Sequence, residues 1–529
     1  MRIPILNKTL IFLAICSPFS LTAQTARLND NWQNLDLKTD SIFGISTEKA
    51  YTELLKGKKH VTVLVAVIDG GIDIHHEDLQ GVIWTNPREI PENHIDDDGN
   101  GYVDDVHGWN FIGGAKGDVE YENYEYVRLI RFEKPIYRNA DTTKLSAAEL
   151  VKFHDYLKMK RKLDRSIKSV QADMKSYDHG DLIIDTLLSD MNIKNPKPED
   201  FKNYKPKNEV QKAIVNYIIS VDTISDFSAF RQQHKEEYLK SAQNQLDYTL
   251  NIDYDPRSIV GDRPNDDNDR FYGNSNVIGP DAHHDHATHV SGIIAALRDN
   301  NIGIKGVAND VMILPVRTVP DAGDERDKDL ANAIRYAADN GAKIINMSIY
   351  KTYSWDKKVV DDAVKYAVNK DILIVHCAGN DNEDRDKKLN YPNKIYGDSS
   401  GIASTWIEVG ASGSMDGESL KADFSSYGKV NVDVFAPGID IYSTIKGSKY
   451  GLKSGTSMAS PVVAGLAALI RSYYPKLTAL QVKEIILNSV VKVYHEVIIP
   501  QKGKVQFSEL CKSGGIVNAY NALKMAATY

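Results

Sequence analysis

Apolar positions along this chain fall into two textures. Between residues 59 and 111, and again from 255 to 529, short unbroken apolar runs alternate with longer amphipathic stretches. Val61-Thr62-Val63-Leu64-Val65-Ala66-Val67-Ile68, closed by Asp69-Gly70-Gly71, reads as a strand buried on both faces, as in a parallel sheet. Similar runs lie at 312–316, 343–347 and 372–377, and helical spacing separates them at 329–340 and 357–369. Strand and helix alternating in this way predict an α/β, doubly wound fold with a largely parallel central sheet. In such sheets chemistry gathers at the carboxyl ends of the strands. Asp69 stands at one such end, and Asn380 shortly follows another.

From 112 to 254 the short runs disappear and Lys, Glu and Asp crowd in. Ser146-Ala147-Ala148-Glu149 has the form of a capping box, in which serine and glutamate satisfy each other's backbone donors. Leu150, Phe153, Leu157, Leu163, Ile167, Val170 and Met174 follow at largely helical spacing, and Phe227, Phe230, Leu239 and Leu246 mark a second stretch. The segment is read as a charged helical insertion whose long helices each carry one apolar face. Residues 24–58 form an entry segment, with a helix expected from Thr47 to Leu55. Residues 1–23 have the form of an export signal: Arg2 and Lys8, an apolar stretch from Leu10 to Ile15, and a cleavage region ending at Ala23. Cys16 raises a lipid-anchored variant, but the preceding Ile15 is bulky for one. No apolar stretch is long enough for a transmembrane helix.

Composition narrows the function further. The 529 residues are 42% hydrophobic, enough for a substantial core, and the formal net charge of −8 argues against nucleic acid as a partner. Beyond the signal only Cys377 and Cys511 remain, which is no disulfide framework.

Three short segments carry the candidate chemistry. Val67-Ile68-Asp69-Gly70-Gly71-Ile72 puts an acid at a strand end. His286-Ala287-Thr288-His289-Val290-Ser291-Gly292 opens an apolar helix, and Ser454-Gly455-Thr456-Ser457-Met458-Ala459-Ser460-Pro461 opens a longer one. A serine hydroxyl is inert at neutral pH without a base, histidine suits that role, and a buried carboxylate orients the imidazole. Taken singly, Asp69 reads as a turn residue, Ser457 as a helix cap, and His286 as one of a zinc-like group with His283, His284, Asp285 and His289.

Together and in the order Asp, His, Ser, the segments resemble the active-site motifs of the subtilisin-like serine proteases, the subtilase family. Ala378-Gly379-Asn380, Phe424-Ser425-Ser426-Tyr427-Gly428, Phe435-Ala436-Pro437-Gly438 and Gly514-Gly515-Ile516-Val517-Asn518-Ala519 match further family segments. The resemblance covers about 59–111 and 255–529, and implies a subtilisin-like catalytic domain. It implies a secreted serine endopeptidase acting on peptide or protein substrates through an acyl-enzyme. Asp69 would be the orienting acid, His286 the base, Ser457 the nucleophile and Asn380 an oxyanion donor, with His289 structural. The sequence departs from the family at Gly70, Ala287, Tyr350 and Val462. Gly70 removes a hydroxyl beside the acid, Ala287 adds a methyl in a tight turn, and Tyr350 bears on the substrate groove. The alternative these departures motivate is a weakly active scaffold that binds peptides or a partner.

Asp96-Asp97-Asp98-Gly99-Asn100-Gly101-Tyr102-Val103-Asp104 has oxygen ligands at alternate positions, like the first half of an EF-hand loop. It predicts structural calcium held by Asp96, Asp98, Asn100, Tyr102 and Asp104, with Asp105 the alternative to Asp104. Asp78 with the Asp299-Asn300 loop resembles a family calcium site. Asp69 and His286 are 217 residues apart, far more than the few dozen usual between these motifs. The insertion supplies the excess, and a lid, exosite or partner-docking role is expected for it. Export leads to the periplasm, the cell surface or the medium.

Overall fold

The computed structural model of the chain describes residues 30–220, 226–280 and 285–529. The expected export signal with its Cys16, and the histidines His283 and His284, lie outside the described residues. Contacts divide the chain into two compact units. One takes in Tyr126–Tyr254, and the other is formed by Leu28–Glu125 with Asp255–Tyr529.

The larger unit is built on a nine-stranded sheet. Its strands are β1 (Val63–Asp69), β2 (Trp109–Asn110), β3 (Val311–Arg317), β4 (Ile344–Met347) and β5 (Leu373–Cys377). They continue as β6 (Trp406–Ser412), β7 (Val434–Pro437), β8 (Val491–Lys492) and β9 (Gly515–Ile516). Across the sheet the order is β8-β9-β7-β6-β5-β4-β1-β3-β2. Every neighbouring pair is parallel except β8 with β9. The doubly wound expectation therefore holds. The helices of this unit include α1 (Asp285–Ala295), α2 (Asp327–Asp339), α3 (Lys357–Asn369), α4 (Thr456–Tyr473), α5 (Ala479–Asn488) and α6 (Ala519–Ala526).

The burial of β1 explains its unbroken apolar run. Val63, Val65 and Val67 pack in one cluster with Val290 and Ile293 of α1 and Val463 of α4. Ala66 and Ile68 point the other way, into a second cluster with Leu330 and Ile334 of α2 and Val360 and Val364 of α3. Each valine or isoleucine buried in this way contributes about 1.5–3 kcal/mol. β6 was not anticipated from the pattern because Glu408 interrupts it. That carboxylate is buried, accepting from Trp406 Nε1 at 2.8 Å and lying 3.0 Å from His376 Nδ1. In the entry segment the expected helix begins as a turn of α-helix at Thr47–Ala50 and continues as a π turn at Tyr51–Leu55. Cys377 and Cys511 are buried, free thiols.

Residues 112–125 stay with the larger unit, so the helical segment begins later than position 112. Ile112 and Val119 pack against Val260, which anchors this stretch beside the sheet. Arg326 binds both Glu122 at 2.7 Å and Asp255 at 3.1 Å. The larger unit thus gives up the chain and takes it back at nearly one place. The helical unit itself contains Ala147–Met191, Glu209–Ser220 and Phe227–Asn244, the first opened by the Ser146–Glu149 capping box. Leu187, Phe201, Ile214, Val215, Ile218 and Phe227 form a small core. Along the long helix Leu163 is buried, whereas Leu150, Phe153, Leu157, Ile167, Val170 and Met174 are only half-buried.

Candidate active site

The carboxyl ends of β1, β4 and β5 and the amino ends of α1 and α4 meet above the sheet. Asp69 ends β1 and is 1% exposed. Its Oδ1 and Oδ2 lie 2.9 and 3.0 Å from His286 Nδ1. The Gly70 backbone N–H donates to Oδ1 at 2.7 Å. The carboxylate thus keeps a backbone donor at this position, although it has no side-chain hydroxyl there. A Cβ on Gly70 would meet only the Val319 carbonyl oxygen, at 3.8 Å, so sterics do not require the glycine.

His286 is the second residue of α1 and its side chain is 41% exposed. Ala287 departs from the sequence expectation. It lies inside α1, fully buried in the core, not in a tight turn. Alanine is the best helix former, so the change suits the helix. His289 is buried, its Nε2 2.9 Å from the Ile441 carbonyl and 3.1 Å from that of Gly451. Burial pushes its pKa down to about 3, so it is a neutral N–H donor that ties α1 to the 441–453 hairpin. Val462 lies in the core.

Ser457 is the second residue of α4 and is 8% exposed. Its hydroxyl donates to the Ser348 carbonyl oxygen at 3.1 Å. The single hydroxyl proton is therefore parked on the strand end and not on His286, a looseness common before substrate arrives. Ser348 Oγ in turn donates to the Ser457 carbonyl at 2.8 Å and contacts Ser460 Oγ at 2.8 Å, fixing β4 to α4.

Asn380 follows β5 and is exposed. Its Oδ1 accepts from the Thr456 N–H at 2.9 Å and from Thr456 Oγ1 at 2.8 Å. Those two donors fix the amide orientation and leave Nδ2 free to face the site. A methyl placed on Gly455 would lie 3.3 Å from Asn380 Nδ2 and 3.6 Å from Ser457 N. Both donors therefore converge on one small space, which Gly455 keeps open. A negatively charged oxygen could sit there.

The predicted metal residues separate in the fold. Carboxylate oxygens of Asp96, Asp98 and Glu89 lie within 4.8 Å of one another. Glu89 precedes the loop and was not anticipated. Its pKa is raised, first by burial and further by Asp98, Asp97 and Asp96. Asp104 turns away, 3.4 Å from His94 Nδ1, and accepts from the backbone N–H groups of Asn93 and His94. Asn100 uses Oδ1 to accept from the Tyr102 N–H and Nδ2 to reach Asp105. The Tyr102 ring packs on Trp109, Phe111 and Tyr336. Asp105 is buried, and its pKa is pushed up to about 6 by that burial. Asp78 already accepts from Asn300 Nδ2 at 2.7 Å and from the Ile304 N–H at 3.2 Å.

Comparison with known proteins places these features in context. The family model described as the subtilase family matches residues 61–509. The thermophilic serine proteinase of Bacillus sp. (strain AK1) is 43% identical over 188 residues, covering 35% of this chain and 42% of that protein. Thermitase of Thermoactinomyces vulgaris is 42% identical over 187 residues, covering 35% of this chain and 61% of thermitase. Subtilisin DY of Bacillus licheniformis is 37% identical over 199 residues, covering 37% of this chain and 67% of that protein. The chain thus spans about half the length of the first two of these relatives.

Proposed function

Because the chain belongs to the subtilase family, we propose that it is an exported serine endopeptidase that cleaves peptide bonds through an acyl-enzyme on Ser457. The observation that carries this reading is the junction of two arrangements. Asp69 holds His286 Nδ1, and the Ser457 N–H and Asn380 Nδ2 converge beside the nucleophile.

The steps follow from that geometry. Substrate binding releases the Ser457 hydroxyl from Ser348, at the cost of one hydrogen bond of about 0.5–1.5 kcal/mol. His286 Nε2 takes the hydroxyl proton as Oγ attacks the peptide carbonyl, and Asp69 stabilises the resulting imidazolium. The carbonyl oxygen, now negative, moves into the space kept by Gly455 and accepts from Ser457 N–H and Asn380 Nδ2. His286 then passes its proton to the departing amine, leaving the acyl group on Oγ. Water, deprotonated by the same histidine, repeats the sequence and frees the acid. The test is labelling by a fluorophosphonate probe, mapped to Ser457, together with peptide products whose masses show hydrolysis. A folded protein that takes no label would sink the reading.

The scaffold alternative loses one ground outright and is weakened on a second. The Gly70 N–H serves the Asp69 carboxylate, and Ala287 sits in a helix that favours it. Tyr350 remains as its ground.

Calcium is the proposed structural ion. Glu89, Asp96 and Asp98 offer hard carboxylate oxygens of the kind it takes, while Asp104 is engaged elsewhere. Bound calcium would neutralise the charge these three groups bring together. Chelation is expected to lower the melting temperature by a few degrees, since an ion at a hundred times its Kd stabilises by about 2.7 kcal/mol. Asp98→Asn should reduce that response. A wild-type melting temperature indifferent to chelator would refute the site.

The helical unit is proposed to govern substrate access or to dock a partner, supported by its place in sequence between the acid and the base. Because Arg326 holds Glu122 and Asp255 together, Tyr126–Tyr254 can be replaced by a short linker. That deletion is expected to alter cleavage of proteins more than of short peptides. Equal effects on both would leave the unit a mere spacer. Export to the periplasm, cell surface or medium fits a relative named as the cell wall-associated protease of Bacillus subtilis. No described helix is long and apolar enough to cross a membrane.

A further inference from the structure

We infer that Tyr350 sets the size of the residue accepted on the acyl side of the cleaved bond, limiting it to side chains no larger than alanine's. The inference rests on the acyl-enzyme reading and deepens it.

The position of the reacting carbon follows from the site. It bonds to Ser457 Oγ, and its oxygen lies toward Asn380 Nδ2 and Ser457 N. The departing nitrogen must face His286, which protonates it and which stands at the end of β1. In the sheet β4 and β5 follow β1 on one side, in that order. The acyl residue, opposite the departing nitrogen, therefore lies across the ends of β4 and β5. Those ends continue as Ser348-Ile349-Tyr350 and Ala378-Gly379-Asn380.

Tyr350 occupies that space. The Asn380 backbone N–H donates to its hydroxyl oxygen at 3.0 Å. Its ring lies on Gly379, where an added Cβ would stand 3.1 Å from a ring carbon. The Arg385 guanidinium lies 5.8 Å from the ring centroid. Arg385 is itself fixed, donating to the Ala378 carbonyl at 2.7 Å and to Asp381. A hydrogen bond on one end of the ring, backbone beneath it and a bound guanidinium beside it together hold the tyrosine in place. A large acyl side chain must displace a ring so held, whereas hydrogen or methyl need not.

The test is kcat/KM on matched peptides differing only in that residue, with fluorophosphonate labelling run in parallel. Wild type is expected to favour alanine over phenylalanine or leucine by at least tenfold. Tyr350→Gly should raise the relative rate for phenylalanine at least tenfold, and Tyr350→Phe should keep the wild-type preference, because the ring and not the hydroxyl fills the space. A wild type that cleaves after phenylalanine or leucine as readily as after alanine overturns the inference without any variant. So does a folded, labelled Tyr350→Gly protein with unchanged preference; Tyr350→Ala repeats this arm should the glycine variant not fold. Labelling does not depend on the acyl residue. A wild type that takes no label therefore removes the acyl-enzyme reading and this inference with it, an outcome distinct from labelling without preference.

Discussion

Ser457→Ala is expected to lower kcat for peptide hydrolysis by about 10⁶-fold, the scale of the same deletion in subtilisin, and to abolish fluorophosphonate labelling. The loss is large because the hydroxyl is the atom acylated, and no neighbour can replace it. Ser348 Oγ is nearby but is committed to the Ser457 carbonyl and to Ser460. Stability should barely change. The hydroxyl's bond to the Ser348 carbonyl is worth about 0.5–1.5 kcal/mol, and its other side-chain neighbour is the buried Cys377 thiol. A melting curve and a progress curve on the same preparation decide the matter. More than a thousandth of wild-type activity in a folded variant would place the nucleophile elsewhere.

Asp69→Asn is expected to cost about 10⁴-fold in kcat. The reason lies in which oxygen is replaced. The Gly70 N–H needs an acceptor at Oδ1, so the new amide nitrogen must take the Oδ2 position, 3.0 Å from His286 Nδ1. An Nδ1–H would then face the amide N–H, with only Oδ1 left to accept it, which favours Nδ1 as acceptor and the imidazole proton on Nε2, the atom that should receive the serine proton. Packing would be almost unchanged, since the amide and carboxylate are nearly isosteric in a buried site. Kinetics on purified variant protein test this, and a loss below tenfold would show that Asp69 does not set the tautomer.

Much of this site was legible before any coordinates. The three candidate residues could be singled out because each sits in a distinctive short segment, and β1 and β3 to β5 could be read because β-branched runs buried on two faces leave little ambiguity. What escaped depended on partners distant in sequence. Glu89 joins Asp96 and Asp98 only because the chain folds back before the acidic loop, and Asp104 is diverted by His94 across the turn. The Asp69–Gly70 bond is made by backbone, which residue identity cannot announce. The composition changes at 112, but the first helix beyond it begins only at Glu125, and composition cannot show that Ile112 and Val119 find their core against Val260. Tyr350 was visible as a departure. That its hydroxyl would take the Asn380 N–H depended on the strand ends lying side by side.

The placement of β1 also bears on how the molecule comes to exist. Its two sheet neighbours are β3 and β4, both encoded after the helical unit, and α4 with Ser457 comes later still. Pairings between such distant parts of a chain form slowly, whereas the helices of the intervening unit rest on nearby contacts and form fast. A growing chain therefore holds a seven-residue apolar strand without its ladder partners while more than two hundred residues are added. Throughout that interval the acid has neither base nor nucleophile beside it. The site can therefore assemble only after the last of these elements has been made, and the unpaired strand is exposed to aggregation until then.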